Sequence, residues 1–89
     1  MDEVVIQILF FAKARELVGK QLDSITLSVS STRTTGKNVL DLIIQRFPLL
    51  EPISKNIVLA VNEEYIDPDQ LLDIENCREI AVIPPLSGG

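Results

Sequence analysis

The side chains of this sequence offer few groups for acid–base or nucleophilic catalysis. There is no histidine among the 89 residues, so neither a histidine-based triad nor a histidine metal site is available. No pair of carboxylates is framed by apolar residues, as a general acid with a raised pKa requires. We expect no metal site, and we interpret the carboxylates of the later loops as solvated charges: Glu63, Glu64, Asp67, Asp69, Asp73 and Glu75.

Cys77 is the single thiol of the chain. Arg78 beside it would favour a reactive thiolate, but a lone cysteine without a second cysteine or a histidine is more often incidental, and both interpretations stay open. One cysteine cannot form an internal disulfide, and the N-terminus shows no basic region or long apolar segment. We therefore expect a cytosolic protein that is not secreted and does not span a membrane.

The C-terminal stretch offers a different reactive group, the α-carboxylate of Gly89. An apolar run over residues 80–83 is followed by Pro84, Pro85, Leu86, Ser87, Gly88 and Gly89. Proline donates no backbone hydrogen bond and fixes its own φ, so the two prolines should end a strand and direct the chain outward. The four residues after them span about 13 Å when extended. Because glycine lacks a Cβ, the last two residues can enter a narrow channel.

This geometry suits a carboxylate that is delivered into the active site of another protein. A carboxylate is a poor electrophile, so ATP used by another enzyme must first activate it. The alternative is an inert, frayed terminus, which is common at chain ends.

Composition indicates one ordinary globular domain, with 46% hydrophobic and 24% charged residues. The formal net charge of -5 argues against nucleic-acid binding, which depends on clustered Lys and Arg. The same charge fits a partner with a basic surface, or it serves solubility.

The first half of the chain predicts two strands and two helices. Residues 4–11 form a strand that is apolar on both faces, 12–18 a short helix ending at Gly19, and 22–29 a strand that alternates between apolar and polar. Residues 30–37 have the composition of a loop. From about Thr35 the spacing becomes helical, and Pro48 should end this main helix; its apolar face holds Val39, Leu40, Ile43, Ile44 and Phe47.

The second half predicts short strands. Residues 49–55 form a connector with at most one helical turn, because Pro52 prevents a longer helix. A strand is predicted at 57–61, a turn at 62–64 that leads into Tyr65 and Ile66, a loop at 67–69, and a final strand at 79–83. This order favours an α+β domain, a β-grasp over residues 1–83, in which a mixed sheet wraps one main helix and 84–89 form an extended tail.

The first and last strands should then lie parallel in the middle of the sheet. Near Phe11 and Ile83 the sheet face away from the helix would be apolar and exposed, and such surface usually marks a partner site. Loops that cover this face are the alternative.

Three stretches make the chain resemble the small, sulfur-carrier subunit of molybdopterin synthase. They are Phe10-Phe11-Ala12-Lys13-Ala14-Arg15-Glu16-Leu17-Val18-Gly19, Leu59-Ala60-Val61-Asn62, and the ending from Glu79 through Pro84-Pro85-Leu86-Ser87-Gly88-Gly89. The resemblance spans nearly the whole chain. The prolines, serine and glycines after an apolar strand are its most specific part, because Gly-Gly alone also ends ubiquitin, the ubiquitin-related modifier and the thiazole-pathway sulfur carrier.

The resemblance implies a reaction cycle. An adenylyltransferase similar to the ubiquitin-activating class would consume ATP and place a transient AMP on Gly89, and a persulfide-bearing sulfurtransferase would replace AMP to leave a thiocarboxylate. The tail would then enter the large subunit, within a heterotetramer, and give sulfur to cyclic pyranopterin monophosphate to form the dithiolene of molybdopterin. The chain would hold no stable cofactor, and the large subunit would supply the catalytic groups.

The resemblance also implies roles for individual residues. Gly89 matches the thiocarboxylated residue, and Phe11, Tyr65 and Ile83 match apolar partner contacts. Arg15 and Glu16 match a recurrent family pair, for which a salt bridge to a partner and a solvated helix end are both open interpretations. Cys77-Arg78-Glu79 stands where the family often has Gly-Asp-Glu, so a looser turn is expected there, and the loop at 30–37 is longer than the family suggests.

Two alternatives remain. A protein modifier would begin with the same adenylate and end in an isopeptide bond between Gly89 and a lysine. A passive β-grasp interaction domain would have an inert terminus.

Overall fold

The computed structural model of the chain describes residues 3–28 and 33–84. Seven strands, two α-helices and two short 3₁₀ helices follow one another in these residues. In chain order they are β1 (Glu3–Phe10), α1 (Ala12–Val18), β2 (Leu22–Ser28), β3 (Arg33–Thr35), α2 (Gly36–Arg46), a first 3₁₀ helix (Pro48–Asn56), β4 (Val58–Val61), β5 (Glu64–Ile66), β6 (Leu71–Asp73), a second 3₁₀ helix (Ile74–Asn76) and β7 (Glu79–Ile83).

Five strands form the main sheet, in the order β2-β1-β7-β4-β5. The two strands that are apolar on both faces, β1 and β7, pair in parallel near the centre, and the other neighbours pair antiparallel. The predicted β-grasp fold, a mixed sheet with one main helix, is therefore confirmed.

The core lies between α2 and one face of this sheet. Alternate residues of β1 and β7 point into it, and five of them are fully or almost fully buried: Ile6, Ile8, Phe10, Ile80 and Val82. Helix α2 and the residue after it contribute Val39, Ile43 and Phe47. The rings of Phe10 and Phe47 meet edge to face, with centroids 5.0 Å apart, an arrangement that adds to the gain from burial.

Both α-helices end where their sequences predict. The hydroxyl of Thr35 accepts a hydrogen bond from the backbone N–H of Asn38 and caps the start of α2. The helix stops at Arg46, two residues before Pro48. Helix α1 ends at Gly19, which has φ +81° and donates its N–H to the carbonyl of Arg15. Few other residues adopt that φ readily.

Two predictions for the connecting segments were wrong. Residues 33–35 of the predicted loop are not loop, because Arg33–Thr35 pairs with Leu71–Asp73 in a small second sheet; residues 30–32 of that prediction lie outside the described residues. Thr34 and Thr35 suit a strand, but their partner lies far along the chain and the local pattern cannot reveal it. The connector after α2 forms nine residues of 3₁₀ helix with Leu50 buried. Pro52 excludes an α-helix there without excluding tighter turns.

The looser turn expected before the last strand is present. Cys77 has φ -79° and ψ 121°, so no left-handed residue is needed at this position. Within residues 3–28 and 33–84, no helix is long and apolar enough to cross a membrane. In the same part of the chain, no three His, Cys, Asp or Glu side chains come together as a group that could hold a metal ion.

Candidate docking face and C-terminal tail

The predicted tail begins where β7 ends. Pro84 follows Ile83 directly and is buried. The other residues to which the sequence assigns tail insertion or chemistry lie outside the described residues: Pro85, Leu86, Ser87, Gly88 and Gly89. The structure therefore fixes the end of the sheet from which the tail departs.

Phe11 and Ile83 lie side by side at this end. The parallel pairing of β1 with β7 runs to Phe10 and Val82, and the N–H of Phe11 continues it with a 3.2 Å hydrogen bond to the carbonyl of Val82. On its other side, Ile83 pairs with Val58 of β4. Phe11 is 46% exposed and Val58 is 42% exposed, so this row offers apolar surface close to Pro84, the first residue of the predicted tail.

A second apolar row crosses all five strands of the sheet. The strand pairings place Leu9 opposite Leu22 and opposite Ala81, and Ala60 opposite Ala81 and opposite Tyr65. Paired residues in a sheet share a face, and this face is turned away from α2. Tyr65, at the edge strand, is 73% exposed.

We call the two rows together the docking face: Leu9, Phe11, Leu22, Val58, Ala60, Tyr65, Ala81 and Ile83. The structure thus brings Phe11, Tyr65 and Ile83, the three predicted partner contacts, onto one surface. Strand alternation gave a signal for Leu9 and Ala81, but Leu22, Val58 and Ala60 were missed, because only the strand register shows that they join the same rows.

Polar residues bound the docking face on the side away from the tail. The next row across the sheet contains Gln7, paired with Ser24 of β2 and Glu79 of β7. Beyond it, Val5 is exposed beside Thr26. The contiguous apolar surface therefore covers the half of the sheet from which the tail departs.

Asn62 fastens the beginning of β7 to the turn between β4 and β5. Its side-chain oxygen accepts hydrogen bonds from the N–H groups of Arg78 and Glu79, at 2.9 and 3.2 Å. Its amide nitrogen donates to the carbonyl of Asn76, and its backbone N–H donates to Glu79. These bonds hold the beginning of β7, and the hydrogen bond from Phe11 to Val82 holds the strand near its end.

Cys77 is enclosed by the protein, with 4% of its surface exposed. Its Sγ donates a 3.4 Å hydrogen bond to the carbonyl of Asp73. Burial raises the pKa of the thiol, and the nearby Asp73 carboxylate raises it further. A reactive thiolate is the opposite situation, so the structure favours the incidental interpretation.

An open apolar groove of about 710 Å³ lies on the opposite side of the sheet, between α2, the first 3₁₀ helix and β4. Its floor is aliphatic, from Leu40, Ile44, Ile57 and Ile66. The docking face is the better candidate site, because its residues adjoin the point where the tail departs.

Comparison with known proteins identifies the family. The model of the ThiS family matches residues 8–89. The chain belongs to the ThiS family. It is 44% identical over 91 residues to the molybdopterin synthase sulfur carrier subunit of Aedes aegypti, and the match covers 99% of this chain and 93% of the relative. It is 43% identical over 88 residues to the Arabidopsis thaliana subunit of the same name, covering 99% and 86%.

Solved structures with low sequence identity share the fold of this ThiS-family chain. SAMP1 from Haloferax volcanii matches with a TM-score of 0.70 at 22% identity, over 97% of this chain and all of that one. A chain in the complex of subunits 1 and 2 of the molybdopterin-converting factor from Helicobacter pylori 26695 matches with a TM-score of 0.62 at 19% identity, over 97% and 100%. The resemblance to molybdopterin synthase sulfur carrier subunits is thus confirmed by the closer relatives, and the β-grasp fold by these structures.

Proposed function

We propose that this chain is the sulfur carrier subunit of molybdopterin synthase and that it works through the carboxylate of Gly89. The observation that carries the proposal is the sequence similarity to subunits of that name, 43–44% identity over 99% of the chain. The docking face supports it, because this face ends where Pro84 leads into the tail. Sulfur would pass through Gly89 to cyclic pyranopterin monophosphate and form the dithiolene of molybdopterin.

Loading begins with activation of Gly89. One carboxylate oxygen attacks the α-phosphorus of ATP, and pyrophosphate leaves. The terminal sulfur of a protein persulfide then attacks the acyl carbon and expels AMP, which forms an acyl disulfide. A second thiol then attacks the sulfurtransferase sulfur of this acyl disulfide. A new disulfide forms on the sulfurtransferase, and the thiocarboxylate of Gly89 leaves. These steps belong to an adenylyltransferase of the ubiquitin-activating type and a sulfurtransferase.

Delivery uses the same tail on a second partner. The thiocarboxylate sulfur attacks a carbon of the substrate in the large subunit, and an oxygen substituent leaves that carbon as the carbon–sulfur bond forms. Water then cleaves the acyl–sulfur bond, which restores the carboxylate of Gly89 and leaves the sulfur on the substrate. A dithiolene has two sulfur atoms, so two loaded carriers are consumed for each product. Sulfur is the better nucleophile once it has replaced oxygen.

The chain itself binds its partners and presents the tail. The large subunit supplies the acid and base groups, in a heterotetramer of two subunits of each kind. No stably bound cofactor is required by this cycle, and a single buried thiol is consistent with work in the cytosol.

Mass spectrometry of the loaded protein tests the proposal. The chain is incubated with ATP, its cognate activating enzyme and a sulfur donor, and the fragment containing Ser87, Gly88 and Gly89 is measured. Fragmentation is essential, because oxidation of Met1 or Cys77 adds nearly the same nominal mass as exchange of oxygen for sulfur. We expect sulfur on Gly89, and its loss when Gly89 is deleted.

An unmodified tail would overturn the proposal, provided that the same enzymes load a control carrier. If Gly89 is adenylated and then joined to lysines of other proteins, the chain is a modifier instead. If an extra residue after Gly89 leaves function intact, the terminus is inert and the chain is a passive interaction domain.

A further inference from the structure

Ala60 is buried although it does not belong to the core. Only 7% of its surface is exposed, yet it is absent from the hydrophobic cluster beneath the sheet, which contains its neighbours Leu59 and Val61. Its pairing with Ala81 and Tyr65 places it on the docking face. Its single methyl group therefore lies low among the larger side chains of that face.

The centre of the docking face is consequently lower than its margin. Ala60 and Ala81 lie opposite each other in the middle of the sheet, and each extends only one carbon from the backbone. The residues around this pair are larger, and several of them are strongly exposed: Leu9, Phe11, Val58, Tyr65 and Ile83. We call this depression the alanine seat, defined by Ala60 and Ala81.

We infer that the alanine seat receives one bulky apolar side chain of the protein that takes the tail. This inference rests on the proposed function, and it identifies the chemistry of the contact that sets partner specificity. The seat and the tail are continuous, because Ala81 lies two residues before Ile83 on β7 and the tail begins at Pro84. The large subunit, which takes the tail in the proposed delivery step, would therefore lie close to the seat.

The occupant is apolar because the seat offers it no polar partner. The described residues around it have aliphatic or aromatic side chains, and the nearest polar row, with Gln7 and Glu79, lies on the side away from the tail. A polar side chain placed there would lose its hydrogen bonds to water without replacement. A bulky one gains contacts on all sides, and such centrally enclosed anchors carry most of the energy of an interface.

Enlarging Ala81 separates this inference from a general hydrophobic attraction. If apolar area alone governs docking, Ala81→Leu should bind the large subunit as tightly as the wild type or more tightly. If the seat must stay open, Ala81→Leu occupies the place of the partner's side chain and weakens binding by tenfold or more. Ala81→Val should fall between, while Ala81→Gly, which leaves the seat open and adds no polar group, should remain within about threefold, since one small contact changes affinity little.

The measurement is the Kd of the full chain for its cognate large subunit, by titration calorimetry. Thr26→Leu serves as the matched control, because it adds the same apolar side chain to the same sheet face but beside Val5, away from the seat. It should bind like the wild type. Thermal unfolding of each variant checks the fold, and the Gly and Val variants keep the comparison interpretable if Ala81→Leu does not fold.

Wild-type affinity in both the Val and Leu variants would overturn the alanine seat. A failure of the proposed function would give a different result. In that case the wild type itself would not bind the large subunit, or Gly89 would not acquire sulfur. Weakened binding in Ala81→Leu with normal sulfur loading on Gly89 is the expected combination, and it would also show that the activating enzyme does not need the seat.

Discussion

Phe11 stands directly beside Ile83, because its backbone N–H reaches the carbonyl of Val82 at 3.2 Å. Its own carbonyl accepts hydrogen bonds from Ala14 and Arg15 at the start of α1. Phe11 is therefore held from both sides, although its ring is 46% exposed. A rigid, exposed aromatic residue loses little conformational entropy on binding.

A charge at Phe11 or Ile83 should weaken docking on the large subunit. Phe11→Asp or Ile83→Asp is expected to cost about 2 kcal/mol or more of binding free energy, roughly 30-fold in Kd, as for central aromatic contacts elsewhere. The midpoint of thermal unfolding should change little for Phe11→Asp, because the backbone bonds remain. Val5→Asp, on the same face beyond the polar row, is the control and should bind normally. Unchanged complex formation in both charged variants would contradict the assignment of the docking face.

Local patterns predicted the elements that bury apolar residues and failed where distant segments meet. Some features depend only on residues that are close together in the sequence, and these could be predicted. They are the apolar runs of β1 and β7, the helical spacing in α2 and the end of this helix before Pro48. The strand β3 depends on Leu71–Asp73, and the place of Ala60 in the docking face depends on Ala81 and Tyr65. Neither pairing leaves a local signal.

Asn62 should prove more important for stability than its exposure suggests. It adopts φ +51° in the turn after β4, and its side chain makes three hydrogen bonds to Asn76, Arg78 and Glu79. We expect Asn62→Ala to lower the free energy of unfolding by about 2 to 3 kcal/mol, because it leaves backbone groups unpaired and places alanine in a left-handed conformation. Asn62→Gly should cost less, since only the hydrogen bonds are lost. Urea unfolding measures both.

Glu63 provides the control for the backbone contribution in the same turn. It has φ +74°, so Glu63→Gly removes a strained conformation and should raise the free energy of unfolding by up to about 1 kcal/mol. If Asn62→Ala is no less stable than Asn62→Gly, the left-handed backbone is not part of the cost.

Gly36 is required for space, whereas Gly19 is required for its backbone angle. A Cβ at Gly36 would lie 2.8 Å from the carbonyl oxygen of Asp67 and 3.0 Å from a methyl carbon of Ile66. Gly36→Ala should therefore destabilise the domain by about 1 to 3 kcal/mol through overpacking. At Gly19 nothing lies within 4 Å, but φ is +81°, so Gly19→Ala should cost about 1 kcal/mol from strain alone. A smaller loss at Gly36 than at Gly19, in urea unfolding, would contradict this distinction.

Burial of Cys77 should make stability decline in alkaline solution. The pKa of the thiol is raised above its ordinary value of 9.0 in the folded protein, so the unfolded chain loses this proton at lower pH than the folded one. The stabilising contribution is complete below that ordinary value and is lost as the pH rises from it towards the folded pKa. Urea unfolding at a series of pH values should show a steeper alkaline decline for the wild type than for Cys77→Ala.

The comparison with Cys77→Ala isolates the thiol, because the two proteins share all their other titratable groups. A second measurement is independent of them: an aromatic disulfide reagent should react slowly with the folded wild type and rapidly once urea unfolds it, since the sulfur is enclosed and protonated. Rapid reaction in the folded state would mean that the segment around Cys77 opens readily, and parallel alkaline declines would mean that the raised pKa does not contribute to stability.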